Sequence, residues 1–101
     1  MTDILEIEKP KYLKLADGNE YELPALNLTT LANMEKTMGF GLGQVHGKIV
    51  TETFQTIRLI LYALLKETNP KLDIEECGKL VPINMIKNVT EVLTEILAVN
   101  I

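Results

Sequence analysis

The sequence contains no serine and no tryptophan, and its 101 residues include one cysteine and one histidine. The missing serine excludes serine hydrolases, and it also excludes acyl carriers, which attach their prosthetic arm to a serine. Cys77 cannot form an internal disulfide, and no ligand spacing joins it to His46 as a metal site. We therefore expect a non-enzymatic protein without catalytic residues, bound metal or cofactor.

An excess of positive charge is also missing. The sequence has 10 basic and 14 acidic residues, which gives a net charge of −4 and a pI near 4.9. Such a chain is poorly suited to bind the phosphates of nucleic acid or of anionic membranes. Its longest apolar runs, 59–65 and 96–99, are far shorter than the ~20 residues that cross a bilayer. The first ten residues carry acids where a signal peptide carries basic residues, so we expect a soluble cytoplasmic protein.

Four of the six glycines lie in one stretch, GFGLGQVHGK at 39–48. A Walker loop would require glycine at 42 and a hydroxyl at 49, where the sequence has Leu42 and Ile49. The dinucleotide pattern would require glycine at 46, where His46 stands, and a preceding strand, where the pattern predicts a helix. The stretch is therefore expected to be a flexible connection and not a phosphate site.

Alternating apolar residues predict a β-hairpin over 11–23. Asp17, Gly18 and Asn19 form the turn between its two runs, because Gly18 and Asn19 tolerate a positive φ. Pro24 lacks a backbone donor and ends the second strand.

Apolar residues at helical spacing predict four helices after the hairpin. Gly39 is placed to end the first helix, Asn69-Pro70 the second and Pro82 the third, and Asp73 is placed to cap the third. The predicted fold is a single α+β domain, mostly α, with the hairpin packed on a bundle of about four helices: 28–38, 49–68, 73–81 and 84–100.

Two features of the third predicted helix have a structural and a chemical interpretation. Cys77 shares core spacing with Ile74 and Leu80, so a small buried side chain is favoured over a nucleophile. Asp73 and Glu76 have the spacing of a capping box, which is favoured over a pair of catalytic carboxylates.

The pattern leaves apolar surface beyond the needs of a small core. Apolar residues of the central helix, including Val50 and Phe54, share one arc, and Leu59 and Tyr62 lie outside it. The arc of the last helix spans roughly 200°, twice the width that one-sided packing requires. Two explanations account equally well for this apolar surface. In the first, the hairpin covers Leu59 and Tyr62 and the central helix covers the last helix; in the second, a partner binds there. On the partner interpretation, the contact residues are Met85, Val92, Ile96, Val99, Leu59 and Tyr62.

The order of elements is distinctive: a hairpin, a helix ending in LANMEKTMG, a glycine-bearing connection, the helix IRLILYALL, the segment NPKLDIEECGKLV and a last amphipathic helix. From Tyr12 onward the chain resembles the tail assembly chaperones of tailed phages and related gene transfer agents. An L-x3-E-x3-G stretch carries one part of the resemblance, through Leu31, Glu35 and Gly39. The second part is carried by Pro70, Leu72, Glu75, Glu76, Gly78 and Leu80.

The resemblance implies a chaperone, in the cytoplasm of a bacterial host, that keeps the long helical tape-measure protein soluble. It implies tail tube protein as a second partner, and self-association is a further expectation. The residues leave open a small regulatory or toxin-neutralising module that binds one folded partner through the last helix. They also leave open a subunit that completes the active site of another chain. A tape-measure gene immediately downstream would distinguish the chaperone from the regulatory or toxin-neutralising module.

Overall fold

The computed structural model describes residues 11–98, which begin with a two-stranded antiparallel hairpin. Strand β1 (Lys11–Lys14) pairs with strand β2 (Glu20–Leu23) in the register that places Tyr12 opposite Glu22. Gly18 in the turn has a φ of 85°, a backbone conformation that favours glycine. The hairpin predicted at 11–23 is therefore confirmed.

Polar side chains fix the hairpin turn. Asp17 accepts a hydrogen bond from the backbone N–H of Asn19 at 3.0 Å and another from the Tyr21 hydroxyl at 2.6 Å. The bond from Tyr21 lowers the pKa of the Asp17 carboxyl and raises the pKa of the Tyr21 hydroxyl.

Within residues 11–98 the chain forms five α-helices, two of them preceded by a short 3-10 turn. The helices are α1 (Leu28–Met38), α2 (Val45–Thr51), α3 (Thr53–Leu65), α4 (Ile74–Lys79) and α5 (Ile86–Ala98), with 3-10 turns at Leu42–Gln44 and Ile83–Met85. The fold is mostly α with a small N-terminal hairpin, as the sequence predicts, and it has one helix more than predicted.

Both ends of α1 are fixed by local hydrogen bonds. Asn27 caps the N-terminus by accepting from the backbone N–H of Thr30 at 2.9 Å. Gly39 ends the helix with a φ of 85°, and its N–H donates to the Glu35 carbonyl. The Glu35 carboxylate then accepts a 2.8 Å hydrogen bond from the N–H of Leu42, the first residue of the next turn.

The stretch 39–48, predicted as a flexible connection between helices, is itself helical from residue 42 onward, so the predicted helix boundaries are wrong there. Its flexibility stays a prediction. Leu42 and Val45 are 7% and 5% exposed, and they join the hydrophobic core. These two anchors, together with the hydrogen bond from Leu42 to Glu35, stabilise the 3-10 turn and the start of α2 although the segment is rich in glycine.

We expect opposite effects from alanine at two glycines of this segment. Gly47 lies inside α2 without a positive φ, and an added Cβ would meet nothing within 4 Å. Gly47→Ala should raise the free energy of unfolding by about 0.5–1 kcal/mol, because alanine is the better helix former. Gly39→Ala should lower it by about 1 kcal/mol, because alanine is strained at a positive φ. Urea unfolding of both variants measures this, and destabilisation by Gly47→Ala would contradict the helical assignment.

The single central helix predicted over 49–68 is wrong, because the chain breaks at Glu52 (φ −135°, ψ 60°) into α2 and α3. Threonine hydroxyls on both sides of the break donate to carbonyls of α2. The Thr53 hydroxyl donates to the Ile49 carbonyl at 2.6 Å, the acceptor that the Thr53 N–H would use in a continuous helix. The Thr51 hydroxyl donates to the Gly47 carbonyl at 3.1 Å.

The break changes which apolar side chains are buried. Val50 and Phe54, which the sequence places on the core arc, are 80% and 68% exposed. Ile57 and Ile60 on α3 keep the expected burial.

Helix α3 lies at the centre of the fold, where it contacts the other four α-helices and β2. The hairpin is attached by the Ala16 N–H, which donates to the Leu80 carbonyl at 3.0 Å, and by the Thr68 hydroxyl, which donates to the Glu22 carbonyl at 2.6 Å. No helix within residues 11–98 is long and apolar enough to cross a membrane. The most deeply buried large side chains are Met34, Ile60, Leu61, Leu64, Leu65, Val89 and Cys77.

Within the described residues, the last two helices are shorter than predicted: α4 at both of its ends and α5 at its beginning. Helix α4 (Ile74–Lys79) begins directly after its N-cap Asp73, and the predicted capping box is present: the Glu76 N–H donates to the Asp73 carboxylate at 2.8 Å, and the Glu76 side chain accepts from the Asp73 N–H. The start of the helix predicted at 84–100 is instead a 3-10 turn, Ile83–Met85, before α5.

Candidate functional site

An open groove of about 280 Å³ lies where α3 passes α4 and the beginning of α5. Its lining is mostly apolar, with a few charged side chains at its edges. Such a surface suits an apolar side chain or helix face of a partner better than a small polar substrate. Helix α3 contributes Phe54, Ile57, Arg58 and Leu61, and the other wall consists of Glu75, Cys77, Gly78, Lys79, Val81 and Ile86.

Phe54 is the exposed aromatic residue of this groove. Ile57 and Leu61, one and two turns further along α3, are 8% and 1% exposed, so α3 presents a buried floor and an exposed Phe54. Aromatic side chains that are exposed beside an apolar pocket are frequent anchors in protein interfaces.

The aliphatic part of Arg58 lies directly on the backbone of α4 at Gly78. A Cβ at position 78 would stand 2.8 Å from Arg58 Cδ and 3.5 Å from Arg58 Cγ. Because a Cβ is not found 2.8 Å from a carbon atom, a larger residue at 78 would displace the Arg58 side chain from its present path.

The guanidinium of Arg58 is poorly satisfied inside the protein. Its Nε is buried and has no hydrogen-bond partner within residues 11–98. A Glu75 carboxylate oxygen lies 3.8 Å from Nη1, too far for a hydrogen bond, and both side chains are partly exposed, at 41% and 72%. An exposed ion pair of this kind contributes little, whereas an unpaired buried N–H costs about 1–3 kcal/mol.

The thiol of Cys77 is buried at the base of the groove wall. Burial raises its pKa from 9.0 to about 11, and the nearby Arg58 charge only partly opposes this. The thiolate, which is the nucleophilic form, is therefore disfavoured at neutral pH. The interpretation of Cys77 as a small buried side chain agrees with this environment.

We expect the Cys77 thiol to resist alkylation in the folded protein. At pH 8 the raised pKa alone reduces the thiolate fraction by roughly 100-fold, and burial slows the reaction further. Iodoacetamide labelling followed by mass spectrometry should be slow in buffer and fast in urea. Rapid labelling of the folded protein would contradict the buried environment.

The same pKa makes stability depend on pH in the alkaline range. Because the pKa of Cys77 is higher in the folded than in the unfolded protein, the thiol contributes to the free energy of unfolding. This contribution is complete below about pH 9 and is lost as pH rises towards about 11. The loss is on the order of 2 kcal/mol. The pH dependence of urea unfolding, compared with that of Cys77→Ala, measures it.

The partner residues predicted from sequence are not gathered in this groove. Five of them lie half-buried against the hydrophobic core: Met85 before α5, Val92 and Ile96 on α5, and Leu59 and Tyr62 on α3. The sixth, Val99, lies outside the described residues. Their role in partner binding stays a prediction.

The groove residues Phe54 and Arg58 were missed by the sequence analysis. The apolar pattern places Phe54 on the core arc only if the helix continues through Glu52, where the chain instead breaks. The run Thr51-Glu52-Thr53, with two threonines able to bond carbonyls one turn back, is the signal that could have revealed it.

Several residues that carry the chaperone resemblance have structural roles in this fold. Glu35 and Gly39 fix the end of α1, and Glu76 completes the capping box of α4. Gly78 makes room for Arg58. The fold alone therefore accounts for the presence of these residues, without reference to any partner.

Other surfaces offer less. His46 is exposed on α2, and residues 11–98 contain no cluster of three or more potential metal-binding side chains. A second, shallower depression of about 450 Å³ lies between the hairpin and the segment that follows α3, where Tyr21, Thr68 and Lys71 line it.

No family model matches the chain, and neither a curated protein nor a solved structure shows significant similarity to it.

Proposed function

We propose that this protein is a non-enzymatic tail assembly chaperone, of the type made by tailed phages and gene transfer agents. It binds the tape-measure protein in the cytoplasm of a bacterial host and assists assembly of the tail tube around it. The observation that carries this proposal is the open apolar groove with the exposed Phe54 beside it. The resemblance of the two stretches that contain Glu35 and Gly78 supports the choice of this family.

The physical basis is a match between a small acidic domain and a long helical client. An apolar helix face of the client can be buried in the groove, while the net charge of −4 keeps the complex soluble. Several copies would cover one long client, because each copy has room for a short segment only.

Co-expression with the long helical protein encoded immediately downstream tests the proposal. The client should move from the insoluble to the soluble fraction and co-purify with several copies of the chaperone. Phe54→Glu should abolish this, because it places a charge beside the apolar groove. Val50→Glu is the matched control, since Val50 is 80% exposed and does not line the groove.

Two results would contradict the chaperone proposal. One is a client that stays as insoluble with the wild-type protein as without it. The other is a stable one-to-one complex with a compact folded partner, which is the behaviour of a regulatory or toxin-neutralising module.

A further inference from the structure

Arg58, the single arginine of the sequence, lies in the groove with unused hydrogen-bond donors. Its Nε is buried without a partner among residues 11–98, and the Glu75 carboxylate is too distant, at 3.8 Å, to accept from Nη1. The side chain is 41% exposed, so part of the guanidinium is accessible to a partner. A planar guanidinium binds a carboxylate through two parallel hydrogen bonds, which makes it a selective anchor.

The charge of the groove differs from that of the whole protein. Acidic residues outnumber basic ones in the sequence, 14 to 10, whereas two cationic side chains, Arg58 and Lys79, and one acidic side chain, Glu75, line the groove. The groove therefore combines an apolar floor with a local excess of positive charge. The complementary ligand has an apolar face and a carboxylate beside it.

The stem of Arg58 packs on α4. Its stem lies against the backbone at Gly78, where a Cβ would approach Arg58 Cδ to 2.8 Å. A stem that packs on a helix loses less conformational freedom on binding than the stem of an arginine that extends into solvent.

We propose that the groove binds an amphipathic helical segment that carries an acidic residue, and that Arg58 binds the carboxylate of that residue. The inference rests on the proposed function in that the segment belongs to the client. It adds a selection rule: among apolar helical segments, the protein prefers those with an aspartate or glutamate beside the apolar face.

The test uses two synthetic peptides of 18 residues with one helical leucine face, which differ only in a central glutamate or glutamine. Fluorescence anisotropy should show that the wild-type protein binds the glutamate peptide roughly tenfold more tightly. Arg58→Gln should bind the two peptides with about equal affinity. Lys36→Gln, which removes an exposed cation outside the groove, should retain it.

Two further variants probe the geometry. Gly78→Ala keeps the arginine but displaces its stem, and it should reduce the glutamate preference while circular dichroism shows an intact fold. Glu75→Gln removes the competing carboxylate and should increase the preference.

Equal binding of both peptides to the wild-type protein, a preference that survives in Arg58→Gln, or no binding of either peptide would overturn the inference. A dimer that Arg58→Gln abolishes, combined with no peptide binding, would assign the groove to a second copy and also overturn it. If the client is solubilised but no preference is found, the inference alone fails. If the preference is found but the client is not solubilised, the chaperone proposal fails.

Discussion

Replacing Leu93 with glutamate should unfold the protein. Leu93 is 3% exposed on α5 and belongs to the core together with Val89 and Leu97. A carboxylate at this position would be buried among apolar side chains without a partner, which costs several kcal/mol. Since the whole stability of a small domain is about 5–15 kcal/mol, most of it would be lost. Far-UV circular dichroism and urea unfolding measure the effect.

Val92→Glu is the control for Leu93→Glu, because the two residues are adjacent on the same helix. Val92 is half-buried, so a glutamate there can reach solvent, and the fold should persist with a loss of about 1–2 kcal/mol. If Val92 is a partner residue, client solubilisation or self-association should also be lost. If both variants fold with full partner binding, or if both unfold, α5 has no separate contact face.

Leu64→Ala should lower the free energy of unfolding by about 2–5 kcal/mol. Leu64 is 1% exposed on α3, the helix that contacts the other four helices and β2. Its truncation removes apolar contacts and leaves a cavity that the surrounding elements can only partly fill. Urea unfolding measures the loss, and the m-value should equal that of the wild-type protein.

Leu28→Ala is the matched control on a second helix. Leu28 is 84% exposed at the first position of α1, and alanine is a good helix former, so the change should stay within about 0.5 kcal/mol. A loss below 1 kcal/mol at Leu64, or a comparable loss at both sites, would contradict the central position of α3.

The parts of the fold that sequence analysis predicted depend on local signals. The hairpin follows from Gly18 in the turn, the end of α1 from Gly39, and the start of α4 from the capping box of Asp73 and Glu76. Each of these signals acts within about four residues, so one sequence contains enough information to locate it.

The errors occurred where non-local contacts or weak signals decide the structure. The glycine-rich stretch forms helix because Leu42 and Val45 are anchored in the core, which composition does not reveal. The central helix is broken at Glu52 although its apolar period continues across the break. The Thr53 hydroxyl bonds the Ile49 carbonyl there, in place of the backbone N–H that a continuous helix would use.

The groove could not be predicted because its walls come from segments that are separated in sequence. Arg58 and Gly78 are twenty positions apart, and only the packing of α3 on α4 brings them together. The apolar width of the last helix favours Val92 and Ile96 as contact residues instead, and these residues lie half-buried against the core.

The contact between Arg58 and Gly78 restricts the order in which these two positions can change during evolution. While Arg58 is present, alanine at 78 must displace its stem, so the helix-favouring substitution is opposed. Once position 58 carries a short side chain, the same alanine meets no such obstacle and becomes favourable. The sign of the effect at 78 therefore depends on residue 58, and a lineage that first loses the arginine can readily fix alanine, after which a returning arginine must take a different path across α4.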